Sequence, residues 1–147
     1  MRDDETLTSG PPNPVEKIQY RLSAPDRMAY TVNTGGGVVV IGASAWAFTP
    51  GEGWQHSSYG SGKFATGNWY DWKQYDQSIQ LLGEHDVDGQ RVAEVALMSP
   101  TLPVWFQLSV DVSSGRVSRV GMVAGGHFMV DSYSAYGVPQ RIAAPGH

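Results

Sequence analysis

Val104-Trp105-Phe106-Gln107-Leu108-Ser109-Val110-Asp111-Val112 is the stretch that decides the fold class. Val104, Phe106, Leu108, Val110 and Val112 alternate with Trp105, Gln107, Ser109 and Asp111. Successive side chains of a strand point to opposite faces, so a period of two reads as a half-buried β-strand. Ser113-Ser114-Gly115 turns the chain into a further strand, Arg116 to Ala124. Gly125-Gly126 breaks it, and His127 to Tyr136 makes another. Upstream, Leu82–Val87 and Gln90–Met98 flank Asp88-Gly89, the strongest two-residue hairpin signal in the chain.

The same alternation governs the first half. Ile18, Tyr20 and Leu22 alternate with polar neighbours, Ala24-Pro25-Asp26 turns the chain, and Met28, Tyr30 and Val32 repeat the pattern. Asn33 to Gly37 is a hairpin loop before Val38–Ile41, and Gly42-Ala43 turns into Ser44–Phe48. Thr49 to Gly53 is the next loop, and Trp54 opens the strand after it. The middle is less regular. Tyr59 to Gly67 reads as an irregular loop, and Trp72, Tyr75 and Ile79 fit helical spacing, so a short helix is expected from about Trp72 to Leu82. Gly137 onward is expected to be a short edge segment and then loose.

Nine or ten short strands joined mostly by hairpins predict a mainly β protein. Its sheet is an antiparallel meander that must curl, pack on another sheet or be covered. Residues 1–15, polar and rich in proline at their end, read as a flexible leader. Residues 16–147 read as a single antiparallel β domain.

Composition narrows the function classes. The chain has 147 residues, no cysteine, 18 glycines and 9 prolines. Lys+Arg is 10 against Asp+Glu 14, a net charge of −4, so no basic face invites nucleic acid. Without cysteine there is no disulfide framework, thiolate site or cysteine nucleophile. The start, Met1-Arg2-Asp3-Asp4-Glu5, is not that of a signal peptide, which places the protein in the cytoplasm if Met1 is the true start.

No catalytic constellation emerges, so the expectation is a protein that is not an enzyme and needs no cofactor. Gly35-Gly36-Gly37 lies between two strands, whereas a phosphate loop opens a helix. Gly60-Ser61-Gly62-Lys63 lacks the second half of the phosphate-loop motif. His127 and Met129 should share a strand face, with Met122 on the preceding strand, and imidazole plus thioether suits copper. Methionine in a strand is more often core filler, so no metal is the first expectation, with His127 and Met129 as candidates. Aromatic surface stands out more. Trp46, Phe48, Trp54, Trp69, Trp72, Trp105, Phe106 and Phe128 exceed what a small meander needs for one core, either as a second core layer under a helix or loop or as a concave apolar pocket for a hydrophobic ligand or a partner surface, with Trp46, Phe48, Trp54, Trp105, Phe106 and Phe128 as the candidate ligand-binding residues.

The order of these motifs resembles the LolA/LolB/LppX-like lipoprotein-carrier fold. The segments that carry the likeness are Tyr20 to Tyr30 with its Ala24-Pro25-Asp26-Arg27-Met28 turn, and Val38–Gly42 with Trp46. Leu81 to Val92 through Asp88-Gly89, Trp105 to Val117, and His127 to Pro139 complete it. The resemblance implies a curved antiparallel half-barrel, with at most one or two short helices here, as in a shortened C-terminal portion of a carrier. It implies binding of an acyl chain or other hydrophobic ligand or lipid on a concave aromatic-lined face. It also implies an extracytoplasmic or periplasmic, membrane-associated setting. The alternative is a protein-interaction or copper-handling domain attached to a larger membrane protein, with a protein partner or homodimer through an exposed sheet edge.

Overall fold

The computed structural model describes residues 1–10, 14–60, 62–69, 78–99 and 103–146. Among them eleven strands form, with one short 3-10 turn at Thr66–Asn68. The protein is mainly β and antiparallel, as the alternation predicts. The strands are β1 (Arg2–Thr8), β2 (Glu16–Ser23), β3 (Arg27–Val32), β4 (Gly37–Ile41), β5 (Ser44–Thr49) and β6 (Gly53–Ser58). The second series is β7 (Gln80–Val87), β8 (Gln90–Met98), β9 (Trp105–Asp111), β10 (Val117–Ala124) and β11 (His127–Ser134). Their hydrogen-bonding order is β6-β5-β4-β3-β2-β1-β11-β10-β9-β8-β7. Each series is a meander, but consecutive β6 and β7 stand at the two ends of the order.

The turn chemistry does what it was expected to do. Asp88 and Gly89 take φ of 49° and 79°, the pair of positive angles that a type I′ turn demands. This sets Val87 opposite Gln90 and fixes the β7–β8 register. Gly42-Ala43 and Gly125-Gly126 are likewise two-residue loops, closing on Ile41↔Ser44 and Ala124↔His127. Gly37 is needed for a different reason: a Cβ there would lie 2.8 Å from the Tyr30 carbonyl oxygen.

The chain divides into two compact units. Unit 1 comprises Met1–Asp4, Glu16–Asp71 and Ser134–His147; unit 2 comprises Glu5–Val15 and Trp72–Tyr133. Arg2–Thr8, read from sequence as leader, is strand β1. Met1 and Leu22 exchange backbone hydrogen bonds of 3.0 and 2.9 Å, which starts its antiparallel pairing with β2. Polarity hid this strand, because its buried residue is Asp3 rather than an apolar one.

In unit 1, register puts Leu22, Met28 and Val40 on one sheet face and Ala29 and Val39 on the other. Both faces are covered. Phe64 joins Leu22, Met28 and Val40, with Tyr20, Tyr30 and Trp69 packed around them. The loop carrying Phe64 is pinned by its backbone: Phe64 N–H donates to Gly42 O at 2.9 Å and Thr66 N–H to Pro25 O at 3.0 Å. On the opposite face Ile142 packs with Ala29 and Val39, beside Ile41 and Trp46. The tail expected to be loose is therefore anchored, and Arg27 Nη1 holds it by donating to Ile142 O at 2.8 Å. No periodicity surrounds Ile142, so one buried isoleucine in a proline-flanked tail gave no strand signal.

In unit 2, β8, β9, β10 and β11 pair in unbroken succession. Leu97, Phe106, Leu108, Val120 and Tyr133 are buried there. The helix expected from Trp72 to Leu82 is overturned at its end, since Gln80–Leu82 open strand β7. Trp72 to Gln77 lie outside the described residues.

Candidate functional site

Within unit 2 the expected aromatic set divides between the two faces of the sheet. Trp105 and Phe106 are neighbours on β9 and so face opposite ways. Phe106 lies between Leu97 and Met122 and is buried. Trp105 lies between Met98 and Val123, and Val123 in turn pairs with Phe128. The register thus lines up Met98, Trp105, Val123 and Phe128 as one row across four hydrogen-bonded strands. All four are largely open to solvent, at 42%, 55%, 51% and 50% relative exposure. With neighbouring strands about 4.8 Å apart, three spacings make an apolar row about 14 Å long.

Trp46, Phe48 and Trp54 belong to unit 1, on the face that carries Val39. Trp46 packs against the Ala29–Val39–Ile142 cluster and stacks at 4.9 Å on His56. Phe48 and Trp54 pair across β5 and β6 with ring centroids 5.3 Å apart. Sequence reading missed Phe64 as a core residue, because it stands in a glycine-rich stretch without periodicity. Trp69 sits edge-on to Tyr20 at 5.0 Å and its indole N–H donates to Asp3 Oδ2 at 3.2 Å. These rings form a second core layer under a loop. Beside them a cleft of about 430 Å³ is lined by residues that include Met1, Leu22, Ala24, Thr66 and Val138.

The cluster around Glu94 does not have the order of a Ser-His-Asp triad. On the face of β7–β9 shared with Trp105, Glu94 Oε1 accepts from Ser109 Oγ at 2.9 Å and lies 3.7 Å from His85 Nε2. Its other oxygen accepts from Gln107 Nε2 at 3.1 Å. In a Ser-His-Asp triad the histidine stands between hydroxyl and carboxylate; here the carboxylate stands in the middle. Asp131, by contrast, is buried at 5% exposure. Its Oδ2 accepts from Tyr133 Oη at 2.9 Å, and Oδ1 has no partner among the described residues. Burial pushes this carboxyl up to about 6, with the Tyr133 hydrogen bond opposing the shift. Asp111 goes the other way. Hydrogen bonds from Ser113 Oγ, Ser114 Oγ and Ser114 N–H, at 2.6 to 2.8 Å, hold it down at about 2.

No protein-family model matches the chain, and no curated protein matches it. Solved structures do. LprF from Mycobacterium bovis superposes with a TM-score of 0.54 at 13% identity, over 99% of this chain and 90% of that one. This chain shares the fold of LprF. The same arrangement also aligns with an uncharacterized conserved protein from Thermus thermophilus, at TM-score 0.53 and 12% identity over 99% and 81% of the two chains. A LolA superfamily protein, NE2245 from Nitrosomonas europaea, aligns over 91% and 82% at 16% identity with a TM-score of 0.39. At these identities the likeness is one of fold.

Proposed function

We propose that this protein is a non-enzymatic binding domain that holds an acyl chain or another hydrophobic ligand, in an extracytoplasmic setting. The observation that carries the proposal is the row Met98–Trp105–Val123–Phe128. Single exposed apolar side chains are ordinary, but a contiguous row of four on adjacent strands is a recognition feature. Covering such a row gains about 25 cal/mol per Å² of apolar surface, less the cost of ordering the ligand. The resemblance of the motif order to the lipoprotein-carrier fold supports the same reading. Trp105 and Phe128 are the proposed contact residues from the aromatic set. Phe106 supports them from the buried side of the sheet, and Trp46, Phe48 and Trp54 lie in unit 1.

Titration with a brominated C16 fatty acid tests this through quenching of tryptophan fluorescence. Saturable quenching is expected in the wild type, with binding weakened about ten-fold or more in a Trp105→Phe/Phe128→Ser protein, the loss of one large buried contact. Absence of saturable quenching sinks the proposal. Undiminished binding by the double variant, followed through the remaining tryptophans, moves the ligand off this row.

A second reading rests on β7. It ends the strand order, and Leu81, Leu82 and Val87 on it are exposed. An exposed edge strand with apolar side chains is a template for pairing with a partner chain or a second copy. Sedimentation of the protein across a concentration series, with and without Leu82→Lys, separates this interaction module from a monomeric ligand binder.

A further inference from the structure

Among the described residues no group of three or more His, Cys, Asp or Glu is placed to hold a metal ion. Thioether donors are a different class, and unit 2 gathers two of them with an imidazole. Met122 on β10 is the direct cross-strand partner of Met129 on β11. Directly opposed residues have their Cβ atoms about 5 Å apart. His127 precedes Met129 by two positions on β11 and so shares its face, next to the Gly125-Gly126 turn. Both methionines are half-buried and His127 is exposed, so the three reach from the core edge to solvent.

We propose that His127, Met129 and Met122 bind a single copper(I) ion. Softness decides the metal. Thioethers hold calcium, magnesium and zinc poorly and favour copper(I), and imidazole completes a mixed sulfur and nitrogen set. Two features of the surroundings suit that role. Phe106, buried beside Met122 on β9, gives the sulfurs an apolar wall, which favours a weakly hydrated monovalent ion. Ser9 Oγ lies 3.1 Å from His127 Nδ1. A hydrogen bond there fixes the ring and leaves Nε2 to the metal, the usual arrangement for a ligating histidine. Two positions beyond Met129, on the same face, Asp131 keeps Oδ1 without a partner among the described residues and offers negative charge near the cation. This site is independent of the apolar row, because Phe128 and Val123 point to the opposite face.

The test is competition for copper(I) against bicinchoninate under anaerobic, reducing conditions. The wild type is expected to withdraw copper from the chelator. Met122→Leu, Met129→Leu and His127→Ala are each expected to lose roughly ten-fold or more in affinity, the scale at which losing a ligand or its support is felt. Methionine to leucine conserves volume, and unchanged near-UV circular dichroism verifies that the fold is kept. X-ray absorption should show sulfur and nitrogen in the first shell. Failure of the wild type to compete overturns the proposal. So does a Met122→Leu/Met129→Leu protein that binds as well as the wild type, since His56 or His85 would then be the ligands.

Discussion

The two units use similar strands to different ends. In unit 1 both faces of β3 and β4 are covered, by Phe64 and Trp69 on one side and by Ile142 and Trp46 on the other. In unit 2 the face bearing Trp105 carries an open apolar row, and β7 is exposed along its whole length. An aromatic residue in a strand is therefore not by itself a sign of a binding site. It becomes a candidate for one where, among the described residues, it stays exposed. Unit 1 has covering segments in residues 62–69 and 137–146; on the open row of unit 2 the four side chains remain in water.

The sharpest way to break this contrast is to empty a covered position. Phe64→Ala should cost about 3–4 kcal/mol, since it removes a buried ring and leaves a cavity, and urea denaturation would measure it. A cost below about 1 kcal/mol would mean that the loop covers little and that the two units are alike.

Asp131 gives the next largest effect, in unit 2. Its folded pKa lies above the unfolded value of 3.8, at about 6, so the folded state binds the proton more tightly. Stability from this group is present below about pH 4 and is lost as pH rises through 6. Asp131→Asn should therefore stabilise the metal-free protein at pH 8 by about 2 kcal/mol, after a discount for screening, and have no such effect at pH 3.5. Urea midpoints at the two pH values check the sign, and a variant destabilised at pH 8 would show that the carboxylate is solvated in the fold.

The open row should behave oppositely to Phe64. Trp105→Ser is expected to change stability by less than about 0.5 kcal/mol, because little is packed against the ring. A thermal midpoint lowered by many degrees would show that the ring is covered in solution.

The smallest effect belongs to the Asp111–Gly115 turn. Its carboxylate is held at about 2, below the unfolded value of 3.8, so the turn keeps its bonds above pH 4 and loses them as pH falls through 2. Faster hydrogen exchange at the Ser114 amide, confined to this turn, is the expected signature.

How much of this was legible depended on whether the signal was local. Turn residues were readable because positive φ is a property of one or two residues, as at Asp88 and Gly89. Strands such as β8 and β9 were readable because one buried face writes a period of two into the sequence. Strand β1 was not, since Asp3 occupies its buried position, and a buried carboxylate bonded to Trp69 has no apolar pattern. Of the candidate ligand residues, alternation alone separated Trp105 from Phe106. That Trp105, Val123 and Phe128 line up depends on registers set by loops far apart in the chain.

The sequence by itself determined the antiparallel β character, the hairpins and the phase of each strand, because these follow from steric preferences of neighbouring residues. Only the tertiary structure decided which aromatic faces are covered. Covering depends on where non-periodic segments such as Phe64–Trp69 and Ile142 come to rest, and that is fixed by long-range packing and hydrogen bonds rather than by any local pattern.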